Sequence, residues 1–373
     1  MSKHSLLSPS SSKRWLECPP SARLTEKIND ETSVYAREGT DAHTLCEYKV
    51  NRALGLNVEN PIENLSFYDE EMEQSAEEYM LFVLEAYQEE KDNDPVIITE
   101  QRLDISNYVP DCSGTGDCLI IANRTLHIID FKYGKGIEVT AENNTQMMLY
   151  ALGALDMFES IYEIENINMT IFQPRLSNIS TSSITVSQIK QWANEYLKPR
   201  ALLAYEGKGE MQAGAWCRFC KIKATCRKRA EKNMQLAAYD FKKPPLISDE
   251  EVIEILKQVD EISSWISDIQ GYAFSVLSGG GTLKGFKLVE GRSNRKYLDE
   301  KAVIETVKKE GLDPYEHKVL GITAMTKLLG KSKFEELLKQ YIYKPKGKPT
   351  LALESDKRPA LEINDFKNDT EEK

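Results

Sequence analysis

Asp117, Asp130 and Lys132 are the residues of this chain with the plainest capacity for chemistry. Two carboxylates in an oxygen-rich surround suit Mg²⁺ or Mn²⁺, hard cations that take oxygen ligands. A cation there polarises a phosphoryl oxygen and lowers the pKa of an attacking water. Lys132 stands two residues past Asp130, so on a strand both side chains point to one face. Its ammonium could orient the water and offset charge growing on a phosphate. D-x-K by itself arises by chance about once in a few hundred residues, and a surface ion pair at a strand end accounts for it equally well. Context favours a site. Ile128-Ile129 make the approach apolar, Tyr133-Gly134 make an exit, and the carboxyl end of an apolar strand is a common place for chemistry.

Other residues could complete the set. His43 is one of four histidines and lies one helical turn from both Gly39 and Glu47. Glycine in mid-helix costs about 1 kcal/mol relative to Ala, and a close backbone approach is one reason to tolerate it. His43 is either a metal ligand or a structural helix residue, and Glu47 either joins it or is a surface acid. Gln146 and Tyr150, one turn apart, can both donate to a phosphate or to a water near a metal. The bland alternative makes Tyr150 core and Gln146 surface. Glu100 interrupts the apolar run Val96-Ile97-Ile98 … Leu103 and faces either the site or water.

The cysteines form a second constellation. Cys217, Cys220 and Cys226 make a C-x2-C-x5-C run, and Cys18 stands alone near the start. Four thiolates hold either a tetrahedral Zn²⁺ or a [4Fe–4S] cluster. Zinc ribbons use two local C-x2-C pairs, and this chain has one. A group tying Cys18 to the others closes a very large loop, and its loss is expected to loosen the N-terminal helix and with it His43. Cys46, Cys112 and Cys118 fit no such pattern and read as small core residues.

These residues need elements to hold them. Ser8-Pro9-Ser10-Ser11-Ser12 reads as a helix start, with Trp15 and Leu16 as anchors and Cys18-Pro19-Pro20 as its end. Helices are predicted over 34–53 and 69–91, the second with Met72, Ala76, Tyr79, Val83 and Tyr87 on one stripe. Strands are predicted over 96–105, 117–122 and 125–131, with a tight turn at Ala122-Asn123-Arg124. A helix over 142–158, strands over 168–173 and 182–186, and a helix over 187–205 follow. A long helix over 249–277 opens the remainder. The order implies an α/β core with a mixed sheet flanked by helices, plus a small α-rich C-terminal module. The domain reading is 1–240, then 241–350 after a boundary at Lys242-Lys243-Pro244-Pro245, then a polar tail, 351–373, too poor in apolar residues to fold alone.

The 373 residues have room for two domains or one elaborated one. No run of eighteen apolar residues suggests a membrane span, and Met1–Ser12 lacks the apolar stretch of a secretory signal. Seven cysteines, an odd number, favour a reducing, cytoplasmic setting. The net charge of −11 argues at first against nucleic acid, but it is unevenly spread. Residues 59–94 carry thirteen acids and one base, whereas 281–350 carry sixteen bases and nine acids. Gly291-Arg292-Ser293-Asn294-Arg295-Lys296 and Lys344-Pro345-Lys346-Gly347-Lys348 either bind a phosphate backbone or are soluble loops.

The order Gly39/His43, Gly114-x-x-Asp117, Asp130-x-Lys132, Gln146-x-x-x-Tyr150 resembles the RecB-like branch of the PD-(D/E)XK nucleases. The split cysteines resemble the iron–sulfur subgroup of that branch, the AddB nuclease domain and the CRISPR-adaptation exonucleases. The nuclease resemblance covers about residues 8–230. The whole chain, including Lys348-Pro349-Thr350 and Glu354-Ser355-Asp356-Lys357-Arg358-Pro359, further resembles a family common in phages and prophages. The resemblance implies a restriction-endonuclease-like core and a Mg²⁺- or Mn²⁺-dependent deoxyribonuclease, an exonuclease in phage-type recombination or replication. It implies His43, Asp117, Asp130 and the Phe131 carbonyl as metal ligands, and Lys132 as the catalytic lysine. Gln146 and Tyr150 would position DNA or water, and Cys18, Cys217, Cys220 and Cys226 would hold a structural [4Fe–4S] cluster. DNA ends are the expected partner, with a phage single-strand-binding or recombination protein as a further one. No P-loop is present, so no fused helicase is expected. Two other readings stay open: a non-cleaving DNA-binding or assembly protein on a nuclease fold, and a zinc-stapled adaptor.

Overall fold

The computed structural model describes residues 5–28, 33–235, 248–291, 296–315, 318–343, and 352, 354, 356, 359 and 360. Two compact units divide the chain, Met1–Val276 and Leu277–Lys373. The first unit thus runs past the expected end at 240. The Lys242–Pro245 boundary, Arg292–Arg295 and Lys344–Lys348 lie outside the described residues, as does nearly all of the tail.

In the first unit, a 3-10 turn Pro9–Ser11 leads into α1, Ser12–Glu17, then α2, Ser21–Thr25. Helix α3, Val34–Ala53, starts where the Ser33 hydroxyl accepts the Ala36 N–H. Helix α4, Glu70–Glu89, starts where Asp69 accepts the Met72 N–H, with three acids in its first turn to suit the helix dipole. Three strands follow: β1, Val96–Asp104, β2, Ser113–Ala122, and β3, Thr125–Phe131. The β2–β3 turn has both Asn123 and Arg124 at positive φ (46° and 59°), the twist a two-residue hairpin needs. Helix α5, Thr145–Phe158, is capped by Asn144, which accepts the Gln146 and Met147 N–H groups. Strands β4, Asn166–Gln173, and β5, Asn178–Thr185, complete the sheet.

The sheet is mixed, in order β1-β2-β3-β4-β5; β3 and β4 are parallel and the other pairs antiparallel. Helix α5 is the crossover between the parallel pair. Alternation along the strands feeds two cores. Leu119, Ile121, Leu126 and Ile128 pack with α1 and α5, through Trp15, Leu16, Leu149 and Leu152. Cys118, Ile120, Ile129 and Phe131 pack with α3 and α4, through Leu45, Met72, Tyr79 and Val83. Cys46 and Cys118 lie in the second core and Cys112 in the first, as small apolar residues do. Gly153 lets α5 approach β1, since a Cβ there would stand 3.0 Å from the Ile105 and Leu103 side chains.

Two helices differ from expectation. The run over 187–205 is α6, Val186–Trp192, a π turn, Ala193–Leu197, and α7, Lys198–Glu206. Pro199 lacks the N–H that would continue a regular ladder, which is a sufficient cause for the bulge. The run over 249–277 is α9, Asp249–Leu256, and α10, Val259–Ser278, preceded by α8, Arg227–Met234. The second unit adds α11, Glu300–Lys309, α12, Ile322–Leu329, and α13, Lys331–Leu338. No described helix is long and apolar enough to cross a membrane.

Candidate metal centre

Strand register brings three carboxylates to one level of the sheet. Thr99 pairs with Cys118 and Gln101 with Gly116, so Glu100 stands across from Asp117. Cys118 pairs with Ile129, so one step further Asp117 stands across from Asp130. Like charges directly opposite one another on neighbouring strands are destabilising, so a row of three asks for a counter-charge. Asp117 lies inside β2 rather than at its start, because the strand begins four residues earlier than its apolar run suggests.

Each acid has a distinct surround. The Asp117 Oδ2 accepts the Phe131 N–H at 2.7 Å and lies 3.3 Å from His43 Nδ1. Burial works against its charge, but His43 and then Lys132 outweigh it and hold the carboxyl below its ordinary range. Burial likewise opposes the His43 imidazolium, and Asp117 overrides it, so that pKa is raised. Asp130 is 2% exposed. Its Oδ2 lies 2.7 Å from Lys132 Nζ yet receives no well-directed hydrogen bond, and its Oδ1 is 3.5 Å from the Gln146 amide nitrogen. Burial raises the Asp130 pKa, with Lys132 opposing. Gln146 also donates to the Tyr150 hydroxyl at 3.0 Å. Tyr150 is thus both core, at 7% exposure, and part of the polar cluster.

Glu100 faces the site. His43, Glu100 and Asp117 bring one ligand atom each within 4.8 Å of one another, and they are the trio that does so among the described residues. Asp130, expected as a ligand beside His43 and Asp117, lies outside this trio and next to Lys132, and the Phe131 N–H meets Asp117. Glu100 has φ +47°, a left-handed backbone in mid-strand that costs on the order of 1–3 kcal/mol and clusters at functional sites. Burial first, then Asp117, pushes its pKa up to about 7, with half-buried Glu47 adding to the effect. The sequence clue to Glu100 was its charge within an apolar strand; only register says which way it faces.

That pKa has a consequence. Between about 4.5 and about 7 the folded chain holds a proton on Glu100 that the unfolded chain has released. Metal-free stability from this group therefore falls as pH rises through that window. A cation must displace this proton and the one on His43. Mn²⁺ is thus expected to raise the melting temperature more at pH 8 than at pH 6. An Mn²⁺ effect equal at both pH values would remove this trio as the binding site.

Glycine matters at one motif position and not at another. A Cβ on Gly114 would stand 2.6 Å from Tyr150 Cε1 and 3.0 Å from Pro9, and the ring, being buried, has little room to move. Gly114→Ala is expected to cost about 1–3 kcal/mol through overpacking and to break the Gln146–Tyr150 hydrogen bond. Thermal melting checks the first effect and metal-dependent activity the second; unchanged values in both would show the ring yields freely. Gly39, by contrast, has nothing within 4 Å of its absent Cβ, so no close approach explains it.

The four cysteines line one cavity. Cys18 ends α1, Cys217 lies within a short 3-10 turn, Ala215–Phe219, Cys220 ends that turn, and Cys226 precedes α8. Arg14, Lys223 and Arg229 share the lining. Burial raises the Cys217 and Cys220 thiols, opposed by backbone N–H groups and by Arg229 and Arg14 respectively. Cations around clustered thiols favour thiolates, the ligating form. Helix α1 packs on α5 and α7, in the core opposite the one that α3 lines, and the Ser12 and Thr145 hydroxyls meet at 2.6 Å. Loosening the N-terminal helix therefore acts on Gln146 and Tyr150; His43 packs edge-on against Phe131 of the other core.

Charge in the acidic segment 59–94 is partly spent internally. Lys49 pairs with Glu73 and Glu77 at 2.7 Å each, and Arg175 with Glu38 and Glu71 at 2.8 and 2.9 Å.

A family model described as "Protein of unknown function (DUF2800)" matches residues 4–359. The chain is also similar to a solved structure titled "Crystal structure of SSO0001", at 14% identity over 49% of this chain and 94% of that one, with a TM-score of 0.23.

Proposed function

The chain belongs to the DUF2800 family of proteins of unknown function, and from that footing we propose that it is a Mg²⁺- or Mn²⁺-dependent deoxyribonuclease acting on DNA ends. Its first unit is then a RecB-like PD-(D/E)XK core, and its cysteines hold a [4Fe–4S] cluster. The observation that carries the reading is the row Glu100, Asp117, Asp130 on three adjacent strands, with His43 on one side and Lys132 on the other.

The residues fit a hard dication. Its carboxylates and imidazole are hard or borderline donors, and Asp130 Oδ2 is a buried oxygen with coordination capacity to spare. A bound dication supplies Lewis acidity toward a phosphoryl oxygen and acidifies water. The chain's own residues do the rest. The Phe131 N–H fixes Asp117. Lys132 offers positive charge where the phosphate gains negative charge, and Gln146 and Tyr150 orient water or the DNA strand. Hydrolysis adds water at phosphorus and breaks one phosphorus–oxygen bond, leaving a phosphate on one fragment and a hydroxyl on the other.

The cysteine cavity fits an anionic group through its three cations. A role in phage-type recombination or replication, with a single-strand-binding or recombination protein as partner, belongs to this reading.

The test is degradation of end-labelled linear single- and double-stranded DNA with Mg²⁺ or Mn²⁺. Cutting that EDTA stops supports the reading, and the label position gives polarity. A folded, brown protein that cuts neither substrate would overturn it in favour of a DNA-binding or assembly role.

A further inference from the structure

Arg229 is a fully buried arginine beside the cysteine cavity. It lies on α8 one turn past Cys226. Its Nε donates to Glu261 at 2.8 Å and one terminal nitrogen to Asp268 at 2.6 Å, both on α10. The other terminal nitrogen has no acceptor. A buried donor left unpaired is costly, so a partner of another kind is called for. Lys223, within the cysteine loop between Cys220 and Cys226, also pairs with Asp268 at 2.7 Å.

The interface between α8 and α10 is unusual in being held by charge. The buried residues of α8 are Arg229 and Asn233, both polar, and α10 has none fully buried. Asn233 Nδ2 and Trp265 Nε1 are further buried donors without acceptors. Glu261, Trp265 and Asp268 share one face of α10 at helical spacing. With so little apolar burial, docking of α10 depends on where the Arg229 charge is satisfied.

We propose that Arg229 is a positioning residue that couples the group held by the four cysteines to the docking of α10. This rests on the iron–sulfur reading above. Four thiolates on a [4Fe–4S] core leave a net negative charge, and the unpaired guanidinium nitrogen belongs to a residue that lines the same cavity as the four cysteines. The guanidinium then bridges two anions, the cluster on one side and the Glu261/Asp268 pair on the other. Coupling of this kind is reciprocal. Loss of the cluster loosens α10, and changes at Glu261 and Asp268 are felt at the cluster, whose potential answers to charge and to hydrogen bonds on its sulfurs.

The test uses full-length protein purified without oxygen. Arg229→Gln is expected to move the cluster's reduction potential to more negative values and to speed bleaching of its visible band by a chelator about tenfold or more. Arg229→Lys restores most of the potential, since it keeps the charge. The paired change Glu261→Gln/Asp268→Asn touches no cysteine and is expected to move the potential the opposite way, which keeps the test decisive if Arg229→Gln does not fold. In wild type, removing the cluster raises hydrogen exchange across 259–276. A brown wild type whose potential, bleaching and exchange ignore all these changes overturns the coupling alone. A colourless wild type overturns the cluster reading, and the coupling falls with it.

Discussion

Asp117→Asn is expected to lower metal-dependent DNA hydrolysis by on the order of 10³-fold or more, with the chain still folded. Asp117 is the central acid of the row and the one acid in reach of His43, Glu100 and the Phe131 N–H together. Asparagine keeps an oxygen for the Phe131 N–H, so the local backbone has no reason to move. It removes the charge a dication needs, and it also relieves repulsion with Glu100 and Asp130. Metal-free melting should thus stay within a few degrees of wild type, while the Mn²⁺-induced gain in melting temperature disappears. Activity within about tenfold of wild type would take Asp117 out of the metal set. A collapse of metal-free melting would make its role structural.

The second large effect is on stability. Cys18→Ser is expected to abolish the visible absorption of the cluster and to lower the melting temperature by about 10 °C or more. A tie between Cys18 and Cys217 closes a loop of about 200 residues, and chain entropy values such a closure at about 5 kcal/mol. The consequence for chemistry follows from packing. Helix α1 carries Trp15 and Leu16 into the core shared with α5, and Ser12 meets Thr145 one residue before Gln146. Fraying of α1 therefore disturbs Gln146 and Tyr150, while His43, packed edge-on against Phe131 of the opposite core, stays in place. Residual activity of the variant should recover on cooling, unlike that of Asp117→Asn. Unchanged absorption in Cys18→Ser would show that the other cysteines hold the group without it.

Several local features of this protein were legible in the linear order of residues. Helix α3 was readable to the residue, and α4 and α5 to within a few, because their caps and apolar spacing lie within a short window. The β2–β3 turn was readable because only a few residues separate two β-rich runs. The pairing of Asp130 with Lys132 follows from a separation of two residues across the end of β3. The break at 257–258 and the π turn at 193–197 were not readable, since periodicity alone runs straight through both.

What the residues determined by themselves was therefore the inventory: which segments become helix or strand, and which side chains carry carboxylate, imidazole, ammonium or thiol groups. Tertiary structure decided their partnerships. Strand register set Glu100 on one side of Asp117 and Asp130 on the other. Layer packing put His43 on one side of the sheet and the Cys18 helix on the other. The reason is the range of the forces involved. Capping and amphipathic spacing act over a turn or two of chain, whereas register and layer choice are settled by burying two separate apolar faces at once, a condition on the whole unit that no short window contains.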